Sequence, residues 1–141
     1  FDGSPKLNKE PCFVDLGSKS HQSIVRHPSV ILQRVTSNDQ SRRLIAATVP
    51  DEILETYGGF VGENHTVILE QTVPEPALAP AQLSLLLGLS IIDRCFRCIS
   101  GATNVSIFEL KQLPLPNPDK LKKLLSEGRD FEEAAQSAFG N

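Results

Sequence analysis

Apolar positions along this chain change spacing from alternate residues to every third or fourth, and the changes predict strands first and helices later. Ser29–Thr36 (SVILQRVT) is dense in β-branched residues and predicts a strand. A polar turn follows, Ser37-Asn38-Asp39-Gln40-Ser41, and Arg42–Val49 predicts a second strand whose apolar run calls for burial. The two are placed to pair as a hairpin. Pro50-Asp51-Glu52 opens a short helix, since proline presets φ and acids suit the first turn, and Gly58-Gly59 stops it. Phe60–Gln71 predicts a third strand centred on Val67-Ile68-Leu69, with Asn64-His65 near its start. The first 28 residues, broken by Pro5, Pro11, Gly17 and Pro28, predict loop with a short strand at Cys12–Leu16.

A proline-rich joint, Val73-Pro74-Glu75-Pro76, leads into the helical half. Leu83, Leu86 and Leu87 fall at i, i+3 and i+4 and predict a helix over Pro80–Leu87 that Gly88 breaks. Ser90 and Asp93 have the spacing of a capping box and predict a helix over Ile91–Ile99; Ser106 and Glu109 repeat it and predict a single turn. Leu113-Pro114-Leu115-Pro116 suits a sheet edge or an extended connector, because neither proline can donate to a ladder. Asn117-Pro118-Asp119 starts another helix with Gly128 at its stop. Asp130 starts the last, Phe131–Phe139, whose Phe131, Ala134, Ala135, Ala138 and Phe139 form one stripe. The expected fold class is α+β: a small mixed or antiparallel sheet with helices packed on it and helices over 117–139 at the C-terminal end.

At 141 residues the chain fits one domain, and 40% apolar with 22% charged residues is a globular rather than a disordered composition. The chain begins at Phe1 and has no Met, so it is expected to be a piece of a larger protein. Its longest apolar run, Leu83–Ile92, is half of the about 20 residues a membrane span needs, and no signal-peptide pattern occurs. No membrane partner is expected, and three cysteines favour a reducing, cytoplasmic compartment.

Charge is unevenly spread. Residues 1–50 carry seven basic against four acidic side chains, residues 51–119 three against nine, and residues 120–141 four of each. Between Lys19 and Arg43 the one acid is Asp39, which fits either an anionic partner or a solvated surface.

Candidate chemistry is sparse. Cys95-Phe96-Arg97-Cys98 lacks the second pair that a structural zinc site commonly uses, and it falls late in a predicted helix rather than at the N-terminus that a redox pair prefers. His21, His27 and His65 are dispersed, so no metal site is expected. No nucleophile elbow or phosphate loop occurs, and no catalytic residue is expected. Arg34, Arg42 and Arg43 flank a turn with Gln33, Asn38, Gln40 and Ser41, whose forked groups fit base edges and phosphates or simply face solvent. Ser100-Gly101-Ala102-Thr103-Asn104 is a small polar loop that can bring N–H groups to a phosphate or merely connect two helices.

Five segments in order resemble a known family. They are Val30–Thr36; Gln40–Ala47; Glu63-Asn64-His65; Asp93-Arg94 through Cys98–Gly101; and Val105-Ser106 with Glu109-Leu110 and Leu113–Pro116. Together they look like the C-terminal target-recognition region of class I adenine-specific DNA methyltransferases of restriction-modification type, similar to the Taq-type and type IIG enzymes, over about residues 25–120. The last segment also resembles the repeated units of type I specificity subunits. The resemblance implies an α+β domain that follows a catalytic domain and helps hold duplex DNA while an adenine is flipped from the stack. Gln33, Arg34, Gln40, Arg42, Arg43, Asn64 and His65 match family motifs, and with Ser100 and Asn104 they are the candidate DNA-binding residues.

The family's Asn-Pro-Pro-aromatic motif and glycine-containing cofactor loop do not occur here. The resemblance therefore implies that these residues are non-catalytic, that S-adenosylmethionine belongs to a catalytic domain elsewhere in the parent chain, and that the partners are double-stranded DNA and that domain. Whether the parent also cleaves DNA stays open. A protein-interaction module using Ile91–Ile99 and the Phe131–Phe139 stripe is the rival reading. A free-standing enzyme is disfavoured by the want of a nucleophile, base and orienting group at recognisable spacing.

Overall fold

Val30 and Leu32 are buried along β2 (Ser29–Gln33) while Ile31 and Gln33 are only half covered, the period-two mark of a strand with one face on a core. The structure, a computed structural model, describes residues 24–139. β2 is the centre of a three-stranded antiparallel sheet, between β3 (Ala46–Thr48) and β5 (Thr66–Glu70), in the order β3-β2-β5. Leu32 lies opposite Ala46 on one side and Val67 on the other, so the register puts the apolar alternation of all three strands on one face.

A second, two-stranded sheet joins β1 (Ile24–Val25) to β4 (Phe60–Val61). It is reached through α1 (Asp51–Tyr57), which ends where Gly58 takes φ +69°, a conformation that side chains disfavour. Gly59 then passes so close to β1 that a Cβ there would stand 2.7 Å from the Val25 carbonyl oxygen.

Five helices follow: α2 (Pro80–Leu87), α3 (Ser90–Ile99), α4 (Ile107–Lys111), α5 (Pro118–Ser126) and α6 (Phe131–Ala138). Leu86 and Leu87 of α2, Ile92 and Phe96 of α3, Leu121 of α5 and Ala134, Ala135 and Ala138 of α6 close one core with Val30, Leu32 and Val67. Each fully buried large side chain contributes about 1.5–3 kcal/mol. The C-terminal pair is fastened as its caps predict: Asn117 Oδ1 accepts from Lys120 N–H at 2.9 Å, Asp130 Oδ1 from Glu132 N–H at 2.8 Å, and Asn117 N–H donates to the Ala138 carbonyl at 3.1 Å. Helices packed with small antiparallel sheets make the fold α+β. Among the described residues no helix is long and apolar enough to cross a membrane.

Several elements depart from the expectations. The predicted strand Arg42–Val49 shrinks to β3, because the N–H groups of Arg43 and Leu44 donate to Asp93 Oδ1 instead of to a neighbouring strand. Asp93 consequently does not box with Ser90; Leu89 occupies the N-cap of α3 and offers no side-chain acceptor. The predicted strand Phe60–Gln71 is two strands, separated where Thr66 N–H and Oγ1 both turn back to the Glu63 carbonyl at 3.0 and 2.6 Å. β1 arises in a stretch that predicted only loop there. The Cys12–Leu16 strand lies outside the described residues.

Candidate nucleic-acid interface

Beyond Gln33 the chain leaves the regular sheet but keeps pairing. Arg34 N–H donates to the His65 carbonyl at 2.7 Å, and the Arg34 carbonyl accepts from Val105 N–H at 2.7 Å. Val35 forms an antiparallel bridge with Asn104, and Thr36 N–H donates to the Thr103 carbonyl at 2.8 Å. Three residues at the end of one strand thus gather two loops, 62–65 and 101–105, that lie about thirty and seventy residues further along the sequence.

The rim so formed exposes Arg34, Asn64, His65 and Asn104. Arg34 Nη1 donates to the Asn64 carbonyl at 3.3 Å, which holds the exposed guanidinium along the loop. His65 pairs through Nδ1 with Glu63, and its N–H donates to Glu63 Oε2 at 3.1 Å. The ring contact, followed by the backbone one, holds the Glu63 carboxyl below its ordinary range, so the rim carries one anion beside its cation. Such a surface suits polar recognition of base edges better than dense neutralisation of phosphates.

Beneath the rim lies Arg43, with no solvent exposure. Its Nε donates to Thr36 Oγ1 at 3.2 Å, Nη1 to the Ser100 carbonyl at 2.7 Å and Nη2 to the Ala102 carbonyl, while the guanidinium sits 5.2 Å from the centre of the Phe96 ring. Arg43 therefore ties the end of β2 to the 100–102 turn from inside. Ser100 is buried with it. Both were expected at a DNA surface; the structure corrects their placement, because neither has a face to offer a duplex.

Asp93 completes this network. Burial raises its pKa, but hydrogen bonds from Arg97, Arg43 N–H and Leu44 N–H outweigh burial and hold the carboxyl below its ordinary value. Arg97 Nε meets Asp93 Oδ2 at 2.7 Å, and its two terminal nitrogens donate to the carbonyls of Asn38 and Gln40 at 2.9 and 2.8 Å. Helix α3 so clamps the polar turn 37–41. Glu109, at the start of α4, is also held below its ordinary range, first by the Ser100 hydroxyl and then by Ser106.

No family model, curated protein or solved structure matches this chain. The remaining candidates are placed by geometry alone. Gln33 Nε2 donates to the Val35 carbonyl at 2.6 Å, and Gln40 Oε1 accepts from Ser37 N–H at 2.8 Å, so both amides are engaged in their own turns. Arg42 is exposed over the last turn of α2, where a Cβ on Gly88 would come within 3.7 Å of its Nη1. That is the carbonyl end of the helix, which favours a cation. Cys95 and Cys98 are free thiols on α3, half-buried and exposed. Among the described residues no group of three His, Cys, Asp or Glu side chains is placed to hold a metal.

Sequence reasoning did not find Asp93 and Arg97 as a clamp, nor Val35 and Thr103 as partners in the stitching. Their i, i+4 spacing could have suggested the Asp93–Arg97 pair. Nothing local marks the carbonyls that Arg97 and Arg43 reach across 57 to 59 residues.

Proposed function

We propose that these residues form the target-recognition region of an adenine-specific DNA methyltransferase of restriction-modification type, non-catalytic by itself and docked in the parent chain against the domain that carries S-adenosylmethionine. The observation that supports the reading best is the gathering of Arg34, Asn64, His65 and Asn104, from three separate stretches, on one exposed rim. The amides of Asn64 and Asn104 and the His65 ring suit base-edge contacts in a groove, with the Arg34 guanidinium on an adjoining phosphate. Residues 51–119 carry an acidic excess, so on this reading phosphate contacts come mainly from the basic residues up to Arg42 and from the catalytic domain.

Fluorescence anisotropy with a labelled pool of random-sequence duplexes, competed by the single strands and by heparin, tests this. Retention on duplex in the presence of heparin is expected. Equal displacement by all three competitors would reduce the chain to a general polyanion binder and remove the recognition role.

A further inference from the structure

Ile107 and Phe108 open the five-residue helix α4 with 58% and 73% of their surfaces in solvent, two consecutive large apolar side chains that together form an exposed patch. They do not sit on a loose loop. Val105, two residues before Ile107, is fully buried and donates its N–H to the Arg34 carbonyl at 2.7 Å. Ser106 and Glu109 form a complete capping box: Ser106 Oγ accepts from Glu109 N–H at 3.1 Å, and Glu109 Oε2 accepts from Ser106 N–H at 3.1 Å and Oγ at 2.7 Å. The box turns the one acid of α4 back on its own start. Lys111, exposed, follows Ile107 by four and Phe108 by three residues and so shares their side of the helix.

We propose that Ile107 and Phe108 are an apolar wedge that enters the base stack of duplex DNA lying on the Arg34 rim, with Lys111 toward the adjoining phosphates. This rests on the DNA-recognition reading. Adjacency to the rim through Val105 and Asn104, the cation on the same side and the withdrawn carboxylate all favour a polyanion over a protein surface. Size argues the same way. A buried Phe covers about 150–250 Å², and even with Ile107 and the exposed Val35 beside Asn104 the apolar area stays below the roughly 800 Å² per partner of a stable protein interface. Opening one base step needs only side chains of this kind, held rigidly.

Duplexes recovered from a random pool by the wild-type chain are treated with permanganate, which attacks thymines that have lost a stacking neighbour. A reactive thymine at a fixed place in the recovered duplexes is expected. Phe108→Ala should weaken binding about tenfold and abolish the reactivity; Phe108→Trp should keep both. Arg34→Ala should weaken binding yet leave the thymine reactive in whatever complex forms. Recovered duplexes with no reactive thymine, or a Phe108→Ala chain with unchanged affinity and reactivity, would overturn the wedge while leaving DNA recognition intact. Loss of self-association in sedimentation by Phe108→Ala, with DNA affinity unchanged, would reassign the pair to a protein contact and overturn it as well. A wild-type chain that recovers no duplex would remove both readings together.

Discussion

The Arg43 guanidinium donates to the carbonyl oxygen of Ser100 at 2.7 Å from a position with no access to water. This bond crosses 57 residues of sequence and fixes the loop that carries Asn104 beside Arg34. A cation so placed belongs to the foundation of the rim.

Removing it should be costly. Arg43→Ala leaves the Ser100 and Ala102 carbonyls without a donor and opens a void against Phe96, for an expected loss of about 3–5 kcal/mol. Arg43→Lys should recover only part of this, because an ammonium cannot reproduce the planar fork. Urea denaturation checks both variants. An Arg43→Ala chain within about 0.5 kcal/mol of wild type, the range of ordinary surface substitutions, would contradict the clamp.

Acid should loosen the same network. Asp93 titrates below its ordinary value of 3.8 in the folded chain, so its contribution is fully present above that value and is lost as pH falls toward the folded pKa. Glu63, Glu70 and Glu109 are lowered too and add acid sensitivity of their own. The difference in stability between wild type and Asp93→Asn isolates Asp93: it should be constant from neutral pH down to about pH 4 and shrink below it. A difference that grows on acidification would mean the opposite sign of coupling.

Ser106→Ala should remove one half of the capping box at α4 and cost about 1 kcal/mol, within the about 0.5–2 kcal/mol usual for a lost N-cap. Amide exchange gives the sharper check: protection of Glu109 N–H, which Ser106 Oγ accepts, should fall more than protection in α6. Equal protection at Glu109 in variant and wild type would show that the cap is idle.

What the sequence disclosed about this fold was local. Pro80 with Gly88, Asn117 with Pro118, Asp130 and the Ser106–Glu109 box mark helix ends through contacts within four residues, and each lies where those residues predict. Pairing of β2 with β5 joins segments about forty residues apart and depends on a register that neither strand states alone. Arg43 misled for a related reason: beside Arg42 and a polar turn it reads as surface charge, whereas carbonyls from the distant Ser100–Ala102 turn satisfy its donors and permit burial. Of the candidate site, Arg34, Asn64, His65 and Asn104 were legible as residue types. Their meeting on one rim was not, since it is made by backbone bonds at Arg34, Val35 and Val105.

On the proposed reading the Arg34 rim meets duplex DNA, while Arg43 supports that rim from within. Binding of the chain to a random-sequence duplex pool, titrated over a series of salt concentrations, tests it most directly. Each phosphate contact contributes about 0.9 to the negative slope of log affinity against log salt. Arg34→Ala should flatten that slope by about this amount. An Arg42→Ala, Arg43→Lys double variant, if folded, should flatten it by no more than the single contact that Arg42 can make. A slope unmoved by Arg34→Ala, or no measurable duplex binding at low salt, would mean that the Arg34 rim does not meet DNA.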